Sequence, residues 1–274
     1  MLSTPLPTAI AQRFQALKAR GEKALIPYIT AGDPDLATTF AALKVLDANG
    51  ADILELGVPY SDPLADGPVI QAAATRSLSK GTRLEDILAG LPALGITAPI
   101  VLFTYFNPIL RMGIPAFMQR VKESGCSGLV VPDLPLEESQ PLLAAAAHEN
   151  LNTIMLVAPT SPVERMQEIA NRSSGFIYLV STTGVTGMRE RMASRVQDLI
   201  GDLSARTELP IAVGFGISGP QQAHQVIEWG ADAAVVGSAF VKRLADADSA
   251  ADGLASIGEF CRELKAALAE DWTA

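Results

Sequence analysis

Residues 51–70 read ADILELGVPYSDPLADGPVI and combine a short apolar run, a proline-rich loop and the start of an amphipathic segment. The run Ile53–Val58 has the length and the Leu/Val content of a strand that is buried on both faces. Pro68 suits the first position of a helix, where the N–H group that proline lacks would have no partner. The stretch is therefore one strand–loop–helix unit, the repeating element of a parallel α/β protein.

The same alternation extends along the chain in both directions. Short runs rich in Val, Ile, Leu and Tyr recur, and stripes of apolar residues at helical spacing separate them. The predicted strands are Ala24–Thr30, Ile53–Val58, Ile100–Tyr105, Gly128–Pro132, Thr153–Val157, Phe176–Ser181, Ile211–Phe215 and Ala233–Gly237. Eight such units in about 250 residues favour a (β/α)8 TIM barrel over a doubly wound open sheet, the competing α/β architecture.

Two features add helices to this repeat. An apolar stripe at helical spacing between residues 10 and 17 predicts an extra N-terminal helix that ends at Gly21 and covers the N-terminal mouth of the barrel. The second unit is oversized, because Val69–Leu78 and Leu84–Leu94 both carry helical stripes, so additional short helices are expected there. No low-complexity stretch or linker divides the chain, and we expect a single barrel domain over residues 1–274.

The composition limits the class of partner. The chain has 21 Lys and Arg residues against 30 Asp and Glu, a formal net charge of −9, which disfavours nucleic acid and anionic membrane surfaces as partners. The first 14 residues show no basic region followed by an apolar stretch, so no secretory signal is expected there. No run approaches the roughly 20 apolar residues that cross a bilayer. Cys126 and Cys261 have no metal-binding or redox spacing and are expected to be buried, reduced thiols. We expect a cytoplasmic protein that holds any anionic ligand without a basic surface.

The strand in the opening stretch carries a carboxyl group. Alternation puts Ile53, Glu55 and Gly57 on one face and leucines on the other, and the leucine face suits packing against helices. Glu55 is therefore predicted to point into the barrel, where desolvation would raise its pKa toward the range of a general acid or base near neutral pH. The alternative is a structural buried glutamate that bonds backbone or water.

The loop Pro59–Pro68 follows this strand and holds two further carboxylates, Asp62 and Asp66. Its three prolines and one glycine make it stiff, so it can hold a side chain in a defined place. Asp66 lies just before the predicted helix and could cap it, but a role in binding a ligand is favoured.

Glycines cluster after the last two predicted strands. Gly214-Phe215-Gly216-Ile217-Ser218 follows the seventh, and Gly237-Ser238 follows the eighth. In this architecture the loops at these two positions recurrently bind phosphate through backbone N–H groups. The polar segment Thr182–Arg191, which contains Gly184-Val185-Thr186-Gly187, is predicted to be a mobile flap that adds amides to this site, a plain surface loop being the alternative.

The sequence lacks the residue patterns that metal-dependent or Schiff-base catalysis would need. His148 and His224 fall in predicted helices, without the spacing of metal ligands, and are expected to face solvent or lie near helix ends. None of the lysines falls on a predicted strand, where a Schiff-base lysine of a barrel would project. The residues alone thus indicate a phosphorylated small substrate, acid/base chemistry by carboxylates and no metal.

Residues 55–71, ELGVPYSDPLADGPVIQ, resemble the signature of the tryptophan synthase alpha chain family. The likeness continues through PYITAGDP at 27–34, VPDLP at 131–135 and the glycine motifs quoted above. The resemblance implies a lyase of tryptophan biosynthesis that cleaves indole-3-glycerol phosphate to indole and glyceraldehyde 3-phosphate. It also implies an α₂β₂ complex with a beta subunit that receives indole through a tunnel. Pyridoxal phosphate would belong to that subunit, and this chain would carry no cofactor.

The resemblance also assigns roles to residues. Glu55 would protonate C3 of the indole ring and help remove the proton of the C3′ hydroxyl, and Asp66 would accept the N1–H. The remaining substrate contacts implied are Tyr178 near the reacting atoms, Tyr28 and Phe215 at the indole, Thr186 in the flap, and Gly187, Gly216, Gly237 and Ser238 at the phosphate.

Two positions depart from the family pattern. Tyr28 stands where several members have phenylalanine, which adds a hydroxyl that needs a partner. Thr182-Thr183 stands where some members carry arginine, which removes a charge from the flap.

Three alternatives to the lyase remain open at this point. One is another phosphosugar or indole-pathway barrel enzyme, such as an isomerase. The second is a catalytically silent barrel that only activates a beta chain, and the third is a stand-alone form that releases free indole. If a partner binds, the loop Pro59–Asp66 and the segment Phe106–Pro108 are its predicted docking rim.

Overall fold

The computed structural model describes residues 7–180, 189–214, 216–269 and 272. Within residues 189–214, side chains are described only from residue 195 onward. The described residues form a closed barrel of eight parallel strands in the order β1 to β8. The strands are β1 Ala24–Thr30, β2 Leu54–Gly57, β3 Ile100–Phe103, β4 Gly128–Val130, β5 Asn152–Val157, β6 Ile177–Val180, β7 Ile211–Gly214 and β8 Ala233–Val236. Because β8 pairs with β1, the barrel prediction is confirmed and the open sheet is excluded.

Helices alternate with these strands. They are α1 Ala9–Ala19, α2 Leu36–Ala48, α3 Pro68–Ser79, α4 Leu84–Gly90, α5 Phe106–Met112, α6 Ile114–Glu123, α7 Gln140–His148, α8 Val163–Arg172, α9 Arg189–Ser204, α10 Pro220–Glu228, α11 Ser238–Ala245 and α12 Ala250–Ala267. Short 3₁₀ turns at Leu91–Ala93 and Leu136–Glu138 supplement them. The extra N-terminal helix and the two helices of the oversized second unit are present as predicted.

Strand alternation divides the core into two clusters. One lies inside the barrel and includes Ile53 and Phe103, while the other lies between the sheet and the helices and includes Leu54 and Leu56. Helix α1 belongs to the inner cluster, because the ring of Phe14 packs 5.9 Å from that of Phe176. The barrel is therefore filled by side chains, and residues at the carboxyl ends of its strands remain available for a site.

Helix α3 is anchored to the loop after β1. The Arg76 guanidinium donates to both carboxylate oxygens of the buried Asp33, at 2.8 and 2.7 Å, and the Ser77 hydroxyl donates to the Ala31 carbonyl at 2.7 Å. These bonds hold the helix that begins two residues after Asp66.

A few local predictions need correction. Several strands end one or two residues earlier than predicted, because the chain leaves the sheet at the carboxyl ends to form loops. Gly219 rather than Ser218 is the N-cap of α10. Of the two predicted placements for His224, the helix end applies and solvent does not: its Nδ1 lies 2.9 Å from the carbonyl oxygen of Ala267, the last residue of α12, and the ring packs against Trp272. Most of the predicted flap lies outside the described residues, but Arg189 already begins α9.

Both cysteines are buried free thiols within the described part of the chain, as predicted. No helix among the described residues combines the length and the apolar character that a membrane span requires.

Candidate active site

A cavity of about 880 Å³ opens at the carboxyl ends of the strands. Side chains from β1, β2, β3 and β6 and from the loop after β2 line it: Tyr28, Glu55, Asp66, Phe103 and Tyr178. The segments that follow β7 and β8 contribute Gly216–Ser218 and Gly237–Ala239, and further lining comes from the start of α3, from β8 and from α11 to the first part of α12. The cavity thus brings together carboxyl groups, aromatic rings and glycine-rich backbone that lie far apart in the sequence.

Glu55 points into the barrel from β2, the orientation that strand alternation predicts. It is 2% exposed, and its Oε1 has no hydrogen-bond partner among the described residues. Burial, and to a smaller degree the charge of Asp66, raises the pKa of Glu55 to about 8. The group is therefore protonated at neutral pH and can act as an acid toward a molecule in the cavity.

Asp66 lies in the loop between β2 and α3. The N-cap residue of α3 is Gly67, and no side-chain hydrogen bond caps this helix among the described residues. The alternative that Asp66 caps α3 is therefore excluded. Desolvation raises the pKa of Asp66 to about 6, and a hydrogen bond from the Tyr105 side chain opposes that rise. Asp66 is thus ionised at neutral pH, while Glu55 beside it holds its proton.

Each of the two tyrosines in the cavity lies over a glycine of a neighbouring strand. A methyl group on Gly57 would stand 2.0 Å from the Tyr28 hydroxyl oxygen, and one on Gly214 would stand 2.6 Å from a ring carbon of Tyr178. The Thr30 hydroxyl, 3.5 Å away, is the partner of the Tyr28 hydroxyl. Gly214 therefore makes room for Tyr178, a function that its place in a glycine-rich motif does not reveal.

The segments after β7 and β8 present backbone to the cavity. Gly216 has a φ of +79°, a conformation that residues with a side chain rarely adopt. Gly237 is the N-cap of α11, which begins at Ser238 without a side-chain cap in the described structure. The first N–H groups of a helix have no intrahelical partners, so this end of the cavity suits an anion.

Seven of the ten residues predicted for the site come together in this cavity: Tyr28, Glu55, Asp66, Tyr178, Gly216, Gly237 and Ser238. Thr186, Gly187 and Phe215 lie outside the described residues, so their contacts stay predictions. Sequence reasoning missed Phe103, Ile217, Lys242 and Tyr105. The alternation along β3 could have identified Phe103, but nothing local to Tyr105 indicates that its hydroxyl accepts from the Ala65 N–H, next to Asp66.

The sequence profile described as tryptophan synthase alpha chain matches residues 14–269. The chain belongs to this family. It is 60% identical over 263 residues to the tryptophan synthase alpha chain of Microcystis aeruginosa, with 95% of this chain and 99% of the relative covered. The family prediction from the opening stretch is thereby confirmed, and the chain is a lyase of tryptophan biosynthesis.

Solved structures of tryptophan synthase share the fold. One from Mycobacterium tuberculosis is 38% identical with a TM-score of 0.85, and the match covers 96% of this chain and 98% of that one. A chain of the tryptophan synthase α₂β₂ complex of Pyrococcus furiosus is 37% identical with a TM-score of 0.82, covering 89% and 98% of the two chains. The fold of this chain is therefore the fold of these tryptophan synthase chains.

Proposed function

We propose that this chain cleaves indole-3-glycerol phosphate to indole and glyceraldehyde 3-phosphate, with Glu55 and Asp66 as the catalytic pair. The observation that carries this proposal is a buried carboxyl group beside an ionised one. Glu55 Oε1, unpartnered among the described residues, shares the cavity with Asp66 and with the backbone that begins α11. This arrangement supplies a proton, a carboxylate and an anion site to one bound molecule.

The reaction is a retro-aldol cleavage whose electron sink is the substrate's own ring. The Glu55 carboxyl group protonates C3, and the positive charge that develops on the ring is stabilised by Asp66, which accepts the N1–H. The Glu55 carboxylate then removes the proton of the C3′ hydroxyl. The C3–C3′ bond breaks, its electron pair returns to the ring, and indole, glyceraldehyde 3-phosphate and protonated Glu55 result.

The other parts of the cavity bind the substrate. We assign the phosphate to the amides at Gly216, Gly237 and Ser238, with Gly187 from the flap, because helix starts and glycine-rich backbone suit anions. Tyr28 and Phe215 would pack the indole, Tyr178 would line the pocket near the reacting atoms, and Thr186 would hydrogen-bond Asp66 when the flap closes. Phosphate recognition of this kind relies mainly on backbone, which fits a chain with a net charge of −9.

Substitution of the two carboxylates tests these roles. Glu55→Gln is expected to abolish indole formation while the substrate still binds, and Asp66→Asn to reduce kcat/KM by about 10²–10⁴-fold, the usual contribution of a positioned acid or base. Glu123→Gln, an exposed glutamate of α6, is the matched control and should leave turnover unchanged. Normal turnover by Glu55→Gln would refute the assignment.

The rival functions make different demands. A barrel enzyme that forms a Schiff base needs a lysine on a strand, whereas all seven lysines lie outside the eight described strands. A silent activating subunit would stimulate a beta chain without cleaving substrate, and an intact Glu55–Asp66 pair argues against it. Indole formation measured with and without the cognate beta chain distinguishes both rivals from the lyase, and indole release by the chain alone also detects a stand-alone form.

We further propose that a beta subunit docks on the rim formed by Pro59–Asp66 and Phe106–Pro108. Leu64 on this rim is 87% exposed, and Leu110, one turn along α5, is 54% exposed, so an apolar surface faces outward here. The two halves of the rim are joined, because the Asn107 side-chain amide donates to the Tyr60 hydroxyl at 3.3 Å. Pyridoxal phosphate would reside in that partner, and the complex would work in the cytoplasm.

Charge substitution on the rim tests the docking proposal. Leu64→Asp and Leu110→Asp are expected to abolish co-purification with the cognate beta chain and to remove any acceleration by it. Leu78→Asp, which alters an exposed leucine on α3, is the control. Binding that survives both rim substitutions would contradict the proposed surface.

A further inference from the structure

The loop that carries Asp66 is fixed to the barrel at its two ends. Where it starts, the Val58 N–H donates to the Phe103 carbonyl at 2.8 Å and extends the pairing of β2 with β3. Where it finishes, α3 begins and is held by its ion pair with Asp33. Between these ends the loop reaches solvent, and Leu64 is 87% exposed. The position of the Asp66 carboxylate therefore depends on the contacts that the loop itself makes.

The start of α5 holds this loop at two points. The Tyr60 ring stacks on the Tyr105 ring, with the centroids 4.8 Å apart and the ring planes inclined by 24°. The Asn107 side-chain amide donates to the Tyr60 hydroxyl at 3.3 Å. Further along the loop, the Ala65 N–H donates to the Tyr105 hydroxyl at 3.1 Å. The segment 60–65 is therefore attached at both ends to one helix start.

The support that receives the loop is itself held in place. Tyr105 is 1% exposed and is the N-cap residue of α5. The Phe103 ring meets its ring edge-on at a centroid distance of 6.2 Å. The Phe106 N–H donates at 2.9 Å to the carboxylate of Asp133, which follows β4. Because the first turn of α5 is bonded to the next loop of the barrel, Tyr105 is a fixed surface for the Tyr60 ring.

We propose that Tyr60 is a positioning residue, which stacks on Tyr105 and thereby holds Asp66 in the orientation that the substrate requires. The inference rests on the proposed function, in which Asp66 accepts the N1–H. Asp66 directly follows Ala65, and its own N–H donates to the Pro63 carbonyl at 3.1 Å, so the carboxylate moves with the attached segment. A group that is in place before substrate arrives needs less reorganisation in the reaction.

The ring of Tyr60 contributes more to this attachment than its hydroxyl. Tyr60 and Ala65 are both half-buried and both pack against the inner core cluster. A stacked aromatic pair contributes beyond the area that it buries. The bond from Asn107, in contrast, lies at the exposed rim, where water can replace it. Tyr60 is not among the described residues that line the cavity, so it acts through the loop and not on the substrate.

The direct test removes the ring and follows one amide. Tyr60→Leu should loosen the bond from the Ala65 N–H to the Tyr105 hydroxyl. Exchange of the Ala65 amide with solvent deuterium, measured by NMR in the ligand-free chain, should become about 2- to 10-fold faster, the range that loss of one aromatic pair allows. Tyr60→Phe keeps the stack and should retain most of the protection. Tyr60→Ile should behave like Tyr60→Leu and serves if that variant folds poorly.

Catalysis provides a second readout. Tyr60→Leu should lower kcat for indole formation, measured with the cognate beta chain, by about tenfold, since small displacements of a positioned group cost this much or more. KM should change little, because the bond from N1–H to Asp66 strengthens as positive charge develops on the ring. Tyr60→Phe should recover most of kcat. A loss that appears only in KM would contradict the positioning role.

Phe40→Leu is the matched control. Phe40 is another half-buried aromatic residue, and its ring packs over Gly90 at the end of α4, away from the described lining of the cavity. Its removal should leave both the Ala65 exchange rate and kcat unchanged. Equal effects of Phe40→Leu and Tyr60→Leu would mean that general loss of packing, and not the position of the loop, is responsible.

A double substitution separates action through Asp66 from other effects. Tyr60→Leu should reduce kcat much less in an Asp66→Asn background than in the wild type. Full additivity of the two substitutions, or an unchanged Ala65 exchange rate in Tyr60→Leu, would overturn the inference. Faster Ala65 exchange in a chain whose wild-type form cleaves no indole-3-glycerol phosphate would instead refute the proposed function and leave the attachment of the loop intact.

Discussion

The Tyr28 hydroxyl occupies the space that a side chain at position 57 would need, since a methyl group on Gly57 would stand 2.0 Å from the hydroxyl oxygen. In the parallel pairing of β1 and β2, Tyr28 lies opposite Glu55, and Thr30 lies opposite Gly57. The tyrosine ring therefore crosses to the end of the adjacent strand, where it lines the cavity beside Glu55. Gly57 on β2 therefore leaves the space that the ring of Tyr28 from β1 occupies in the wall of the cavity.

Gly57→Ala should disturb this wall. The added methyl group would overlap the Tyr28 side chain, and overpacking of this kind typically lowers the free energy of unfolding by about 1–3 kcal/mol. Tyr28→Phe removes the closest atom but leaves a ring carbon at 2.5 Å, so the double variant should recover only part of the loss. Denaturant unfolding checks this, with Gly201→Ala, where a methyl group would meet nothing within 4 Å, as the control. Equal stability of Gly57→Ala and wild type would contradict the packing argument.

The pH dependence of kcat/KM should be bell-shaped. Protonation of Asp66 below a pKa of about 6 removes the acceptor for N1–H, and ionisation of Glu55 above a pKa of about 8 removes the proton for C3. The profile of kcat/KM reports such groups in the free enzyme. Steady-state indole formation across this range checks the prediction, and a flat profile would contradict it.

Asp66→Asn should move the alkaline limb of that profile. The charge of Asp66 is the second cause of the raised pKa of Glu55, after burial. A neutral side chain at position 66 therefore lowers the pKa of Glu55 below about 8, and the residual activity should fall at lower pH than in the wild type. An alkaline limb that does not move would mean that the two carboxylates do not interact.

Glu55→Gln should stabilise the fold in alkaline solution. The pKa of Glu55 is raised from 4.5 to about 8, so the folded state loses stability as the pH rises through this window. Glutamine does not titrate, and the difference in free energy of unfolding should grow to roughly 2–5 kcal/mol above pH 8 and vanish toward pH 4. Urea unfolding at both ends of the range measures it, and a pH-independent difference would refute the burial argument.

Arg76→Gln should weaken the anchor of α3. The substitution leaves the Asp33 carboxylate, whose side chain is 2% exposed, without its two charge-assisted bonds. The expected loss is about 1–3 kcal/mol in the free energy of unfolding. Arg20→Gln breaks an exposed pair with Glu22 and is the control, since such surface pairs contribute about 0–1 kcal/mol. Similar melting temperatures for the two variants would contradict this prediction.

Much of the architecture follows from local patterns. Short apolar runs and helical stripes predict the strand–helix repeat, and alternation along β2 predicts that Glu55 points inward. The glycines after the seventh and eighth strands predict where an anion would bind. These features depend on residues a few positions apart, which is why they can be recognised in the chain before it folds.

Contacts across the barrel cannot be predicted from such local patterns. Three of these contacts join residues on different strands and loops. The Ala65 N–H donates to the Tyr105 hydroxyl, the Tyr28 side chain packs over Gly57, and the Tyr178 ring packs over Gly214. Closure of β8 onto β1 decides which strand ends meet around one cavity. Burial in that closed interior raises the pKa of Glu55 to about 8. Periodicity in the chain reports the face of a residue but not its neighbours on other strands, so these relationships exist only once the barrel has closed.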